Sequence, residues 1–168
     1  AVCDIICGGR LTTTLAAGYV ASEFNMFGKS LRDRAKLMDE GLEVITRALA
    51  GERFDYQGRD VFVRPLPRSA KPKILVGGGV PAAARRAAKF DLGLWALQSA
   101  LTPDGQKLIA LYEAECARFG RQPGPVMSTN PAVHVAQDVD AAWEEVGPHI
   151  MHLVKSYASW ASDVDTTT

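Results

Sequence analysis

The chain has no apolar run long enough to span a bilayer, which needs about 20 residues, so no membrane helix is predicted. Its start, AVCDIICGG, shows neither the basic residues nor the apolar core of a signal peptide. It has no charge excess either. Nineteen Lys and Arg balance nineteen Asp and Glu, which argues against nucleic acid or an anionic membrane as the main partner. Cysteine is scarce. Cys3, Cys7 and Cys116 are an odd number without metal-ligand spacing, and they read as small buried thiols in a reducing cytoplasm. Walker A, Gly-x-Gly-x-x-Gly and nucleophile-elbow patterns are all missing. These absences point to a cytoplasmic domain, and 168 residues suffice for one real core.

What is present is alternation. Ala1–Cys7 reads as the tail of a helix stopped by Gly8-Gly9, and Leu11–Ala17 as a strand turned by Gly18. Ser30 opens a helix as N-cap, with Asp33 at the capping-box position. Leu31, Ala35, Met38, Leu42, Ile45 and Leu49 then form one apolar stripe, and Gly51 ends it. Phe54, Tyr56, Val61, Phe62 and Val63 flank Gln57-Gly58 and predict a hairpin. Pro65, Pro67 and Pro72 make an extended connector, so residues 52–73 form an excursion.

Ile74–Val76 reads as a buried strand, Pro81–Lys89 as a helix and Leu92–Leu97 as another strand. Thr102-Pro103 opens a helix through Leu108, Ile109, Tyr112, Cys116 and Phe119 to Gly120. Val126–Ala136, interrupted by Asn130-Pro131, predicts a further strand. Asp138 or Asp140 caps a last helix toward Ala161 that Gly147-Pro148 breaks or kinks. Such alternation implies α/β architecture with a parallel sheet, either an open doubly wound sheet or part of a (β/α) barrel.

Gly77, Gly78 and Gly79 stand between a strand and a helix N-terminus. Glycines there let the backbone approach a ligand, and the helix start offers unpaired amides and a partial positive charge. Together they suit an anion, usually phosphate. A tight turn with no ligand explains the same triplet.

The other candidates are single residues. His149 and His152 share a helix face but lack a carboxylate or cysteine to complete a metal site, and none is assigned. His134, in the expected strand, can touch substrate or simply pack. Trp95 can stack on a cofactor or belong to the core. Arg85, Arg86 and Lys89 read as a solvated face, with either arginine able to assist a phosphate.

GGRLTTTLAAGYVASEFNMFG, RDRAKLMDEGLEVITRALAGERFDYQGRDVFV, ILVGGGVPAAARRAAKF and WEEVGPHIMHLVKSYASW, in this order, resemble the flavin-dependent luciferase-like monooxygenases. The resemblance implies a partial TIM-type (β/α) barrel of about four parallel strands with one hairpin excursion. It runs from about the fourth to the seventh strand-helix unit, with residues 1–168 as a single incomplete domain. It implies FMN or a deazaflavin at the C-terminal ends of the strands. Gly77, Gly78, Gly79, Val80, Pro81 and Ala82 would hold the phosphate, and Ala16, Ala17 and Gly18 would lie beside the ring. Members often carry glycine where Thr14 and Ala16 stand.

The resemblance assigns no catalytic residue, because the missing strands supply those side chains in the family. The implied activity is oxidoreductase or monooxygenase chemistry on a small molecule. The alternatives are a non-catalytic flavin-binding protein or an inactive truncated relative. Open sheet edges predict a homo-oligomer.

Overall fold

The computed structural model describes residues 1–97, 100–128 and 133–165, with side chains as far as Trp160. The chain divides into two compact units, one of residues 1–17 and 35–129, the other of residues 18–34 and 130–168.

The first unit holds a parallel sheet. Its strands are β1 (Thr12–Ala16), β4 (Lys73–Gly78), β5 (Gly93–Ala96) and β6 (Val126–Ser128), side by side in that order. Every neighbouring pair is parallel. Apart from the hairpin, spatial order equals chain order. A doubly wound sheet must reverse its strand order at a switch point, whereas a barrel progresses in one direction. The sequential order therefore selects the barrel alternative, and the fold is a partial TIM-type barrel.

The helices follow from the expected signals. Helix α1 (Val2–Ile6) precedes β1 and ends at Gly8 and Gly9, both at positive φ. Helix α3 (Arg34–Leu49) buries Leu42 and rests Met38, Ile45 and Leu49 on the core, whereas Ala35 of the expected stripe is exposed. Helix α4 (Pro81–Lys89) has Pro81 in its first turn and buries Ala83, Ala84, Ala87 and Ala88. These pack with Ile74, Val76, Leu94 and Ala96 from one face of the sheet and with Leu108, Tyr112 and Cys116 of α5 (Pro103–Arg118). Thr102 caps α5, its side-chain oxygen accepting from Gly105 N at 3.2 Å.

The excursion is a hairpin of β2 (Arg53–Tyr56) and β3 (Arg59–Phe62), paired antiparallel. Gln57 and Gly58 both have positive φ, 54° and 75°, which is the primed turn that a two-residue connection favours.

The second unit departs further from expectation. Helix α2 (Ala21–Met26) occupies a stretch where the sequence signals none, since its cap residue Val20 offers no side-chain oxygen. Ser30 opens a single 3-10 turn (Leu31–Asp33) ahead of α3, its Oγ accepting from Arg32 N at 3.2 Å. Helix α6 (Val139–Asp165) continues through Pro148 without a break. Asp138, not Asp140, caps it, accepting from Ala141 N at 2.9 Å. Of the strand expected over Val126–Ala136, the described residues show β6 and, from Val133 to Ala136, no regular structure. His134 lies outside regular structure, 3.6 Å from Glu145, and Asn130-Pro131 lies outside the described residues. Tyr19, Tyr157 and Trp160 form an aromatic cluster within this unit, with centroids 5.3 to 6.3 Å apart.

No helix among the described residues is long and apolar enough to cross a membrane.

One buried hydroxyl fixes the return from α5 to β6. Tyr112 is fully buried, and its OH donates to Leu92 O at 2.7 Å and accepts from Gly124 N at 2.8 Å. Burial pushes this phenol up from 10.0 to about 12. The raised folded value favours the protonated form, so its contribution is complete below pH 10 and is lost as pH rises through 12. Tyr112→Phe leaves the buried Leu92 carbonyl and the part-buried Gly124 amide without this partner and should destabilise by about 1–3 kcal/mol in urea unfolding. The same variant should show a weaker fall in stability between pH 10 and pH 12. An unchanged urea midpoint would refute this role.

Candidate functional site

In a parallel (β/α) unit the functional end is the C-terminal edge of the strands. Here the register aligns one row across that edge. Ala16 pairs with Gly77, Gly77 with Trp95, and Trp95 with Met127. Residues in register share a pleat face. Flanking residues Leu15, Val76, Leu94 and Ala96 belong to the helix-covered core, so the row faces the other way. That face is open. Ala16 and Met127 are exposed and Trp95 is 37% exposed. The row reads small, small, indole, thioether. It forms a shallow trough over Ala16 and Gly77 with Trp95 as one wall.

Gly77 is required by close packing. A Cβ there would lie 2.9 Å from Thr14 Cγ2 and 3.5 Å from Ala16 Cβ. Its neighbour Gly78 meets the helix instead, since a Cβ would lie 2.9 Å from Ala83 Cβ in the first turn of α4. The sequence suggests positive φ and ligand approach for the triplet. In the fold, two of its three members already owe their identity to contacts within the chain.

Beyond them α4 begins at Pro81 with Val80 as its cap. Val80 supplies no side-chain hydrogen bond, and the first turn carries no acidic residue. Ala83 N donates to Val80 O at 2.9 Å. The Ala82 amide, at the second helical position, has no acceptor within the helix, and the helix dipole is positive at this end. The turn itself carries no carboxylate to oppose an anion.

The basic residues of α4 are committed elsewhere. Arg86 Nε donates to Asp39 Oδ1 at 2.7 Å, and the side chain is only 18% exposed, so it ties α4 to α3. Arg85 lies 3.6 Å from Glu115 on α5. Lys89 sits over the Phe90 ring. Arg85 and Lys89 thus remain on a solvated face as expected, whereas Arg86 departs from it as a partly buried tie between α4 and α3.

Of the residues singled out in the sequence, Ala16, Ala17, Gly77, Gly78, Gly79, Val80, Pro81 and Ala82 all belong to the first unit, at the ends of β1 and β4 and the start of α4. Gly18 is the first residue of the second unit, at φ 75°, where a Cβ would meet the Phe24 ring at 2.9 Å. His149 and His152 are exposed on α6, and no three His, Cys, Asp or Glu side chains among the described residues gather to hold a metal. Met127 is the member of the row that sequence reasoning missed. Only strand register reveals it.

The fold defines an incomplete (β/α) barrel with this row at the C-terminal ends of its strands. Comparison with known proteins is more specific. The luciferase-like monooxygenase profile matches residues 1–166, and the chain belongs to that family. It is 28% identical over 162 residues to a 4-hydroxyprotoasukamycin monooxygenase of Streptomyces nodosus subsp. asukaensis, covering 96% of this chain and 36% of that protein. Its fold matches the crystal structure of monooxygenase RslO1 from Streptomyces bottropensis with a TM-score of 0.80 and 24% identity, over 97% of this chain and 52% of that one. The chain thus spans about a third of the length of the curated relative and about half of the solved structure.

The packing of Gly77 against Thr14 yields a test. Gly77→Ala should destabilise by about 1–3 kcal/mol, the usual range for overpacking. Adding Thr14→Ser removes the offending methyl and should restore about 1 kcal/mol or more, read as coupling in a double-mutant cycle. Additive effects in chemical denaturation would show that the two residues do not face each other.

Proposed function

We propose that this chain is the cofactor-binding part of a flavin-dependent monooxygenase acting on a small molecule, with reduced FMN or a deazaflavin as the group bound. The observation that carries the reading is the aligned row Ala16–Gly77–Trp95–Met127 lying directly before the uncapped start of α4. A flat ring needs a flat, uncrowded floor with an aromatic wall, and a phosphate needs amides without carboxylates. The residues present fit both needs. Gly77, Gly78, Gly79, Val80, Pro81 and Ala82 would hold the phosphate, and Ala16 and Ala17 would lie along the ring. Gly18 is included on the family resemblance alone. A reduced flavin, when bound, supplies the electrons and the activation of oxygen. The chain's own residues position the ring, hold the anion and shield the floor of the trough from water.

The family membership supports monooxygenase chemistry over a non-catalytic or inactive relative. Of the thiols expected to be buried, Cys116 is, whereas Cys3 is exposed and Cys7 half-buried; all three are free, which fits a cytoplasmic setting. The 168 residues form one incomplete barrel domain with its excursion at about 52–73. β1 and β6 are the edge strands of the sheet, and its trough face is open, so the chain would assemble as a homo-oligomer. Light scattering at low micromolar concentration should give at least a dimer, and a stable monomer would overturn that part.

The cofactor reading is tested by titrating the chain with FMN and with riboflavin, which lacks the phosphate, and following flavin fluorescence. FMN should bind more tightly. Gly78→Val should remove most of that preference, because its side chain drives α4 away at Ala83 while the ring floor stays intact. Circular dichroism confirms that the fold survives. Equal weakening of both ligands would refute the phosphate cradle.

A further inference from the structure

A cavity of about 150 Å³ lies in the first unit, on the helix-covered face of the sheet and away from the trough face. Thr13 and Leu15 of β1 and Ile74 of β4 form one wall, and Ile45 and Leu49 of α3 form another. Pro67 and Pro72 of the connector close it with α1. These walls are mostly apolar. The polar members are Thr13, Lys73, the terminal residue Ala1, and Asp4, which is only 3% exposed.

Asp4 is a buried charge with few partners. Ser69 N donates to its Oδ2 at 3.0 Å, and Ser69 Oγ lies 3.3 Å from its Oδ1. An ionised carboxylate can accept about four hydrogen bonds, so both oxygens retain acceptor capacity. Among the described residues no Lys or Arg forms an ion pair with it. Lys73 also borders the cavity, but its side chain is exposed and its pairing with Thr12 sets it on the other pleat from Ile74. A buried carboxylate with spare acceptors beside an apolar hollow favours a cation that brings its own apolar body. A hollow of about this volume accommodates a single six-membered ring.

The geometry points to a second binding site, separate from the trough, for a small primary amine with an apolar body of benzyl size. Its ammonium donates to Asp4, and its ring fills the space between Thr13, Leu15, Ile45 and Leu49. This assignment does not depend on the flavin reading, because it uses the other face of the sheet.

The test uses benzylamine and its neutral counterpart benzyl alcohol on the full chain at neutral pH, with binding read by ligand-observed NMR and by thermal shift. Benzylamine should bind more tightly than benzyl alcohol by about tenfold or more, the scale of one hydrogen bond to a buried charge. Asp4→Asn keeps an oxygen for Ser69 N and should erase that difference. Thr13→Phe places a ring in the hollow from a strand position that tolerates it, and should abolish binding of both probes. Equal binding of amine and alcohol to the unmodified chain would overturn the proposal, as would undiminished binding to the Thr13→Phe chain. If Asp4→Asn does not fold, the amine-to-alcohol ratio and Thr13→Phe still decide the matter.

Discussion

The close approach of α4 to the sheet governs the rest of the first unit. Its buried face is four alanines, Ala83, Ala84, Ala87 and Ala88, so no side chain longer than a methyl holds the helix off the strands. Helix separation depends on the side chains at the contact, and alanine sets the short end of that range. The helix can then lie on Val76, Leu94 and Ala96 while α5 packs beside it. Its first turn is drawn so near the end of β4 that Gly78 has no room for a Cβ beside Ala83. Arg86 and Arg85 secure the same helix laterally, through Asp39 on α3 and Glu115 on α5. Arg121 holds its far end, donating to Ala88 O and Lys89 O at 2.7 Å.

A consequence reaches the trough. The first strand carries side chains at Thr14 and Ala16 on this face. The bulk is offset one strand over, since Gly77 leaves the space that Thr14 Cγ2 occupies. The floor stays level because one side chain and one missing side chain are matched across the β1–β4 pair. Neither residue can be understood from its own strand. A threonine alone would look like an obstruction, and a glycine alone like a flexible turn.

The two ends of the strands are built differently. At the C-terminal end the sheet is open, the row is small, and the nearest charges are drawn into helix–helix clamps. At the N-terminal end the connector and α1 cover the sheet, and the buried charge there is Asp4. The first arrangement suits a flat anionic group, and the second a compact cationic one.

Local signals fixed much of this. The primed turn at Gln57-Gly58, the Pro81 helix start, the Thr102 cap and the breaks at Gly8-Gly9 each rest on the chemistry of one to four adjacent residues, and each is where the sequence places it. The signals failed where packing outweighed propensity. Helix α2 forms without a capping side chain, α6 runs on through Pro148, and the hydroxyl of Tyr112 joins Leu92 to Gly124 across the fold. The sequence by itself determined the alternation of strands and helices, the family, and the glycine-rich approach to α4, because these are written in short-range pattern. Tertiary structure alone decided the one-directional strand order, the row that joins Ala16, Gly77, Trp95 and Met127, and the burial of Asp4. Each of those depends on which distant segments become neighbours, and register and long-range packing leave no mark in the spacing of residues along the chain.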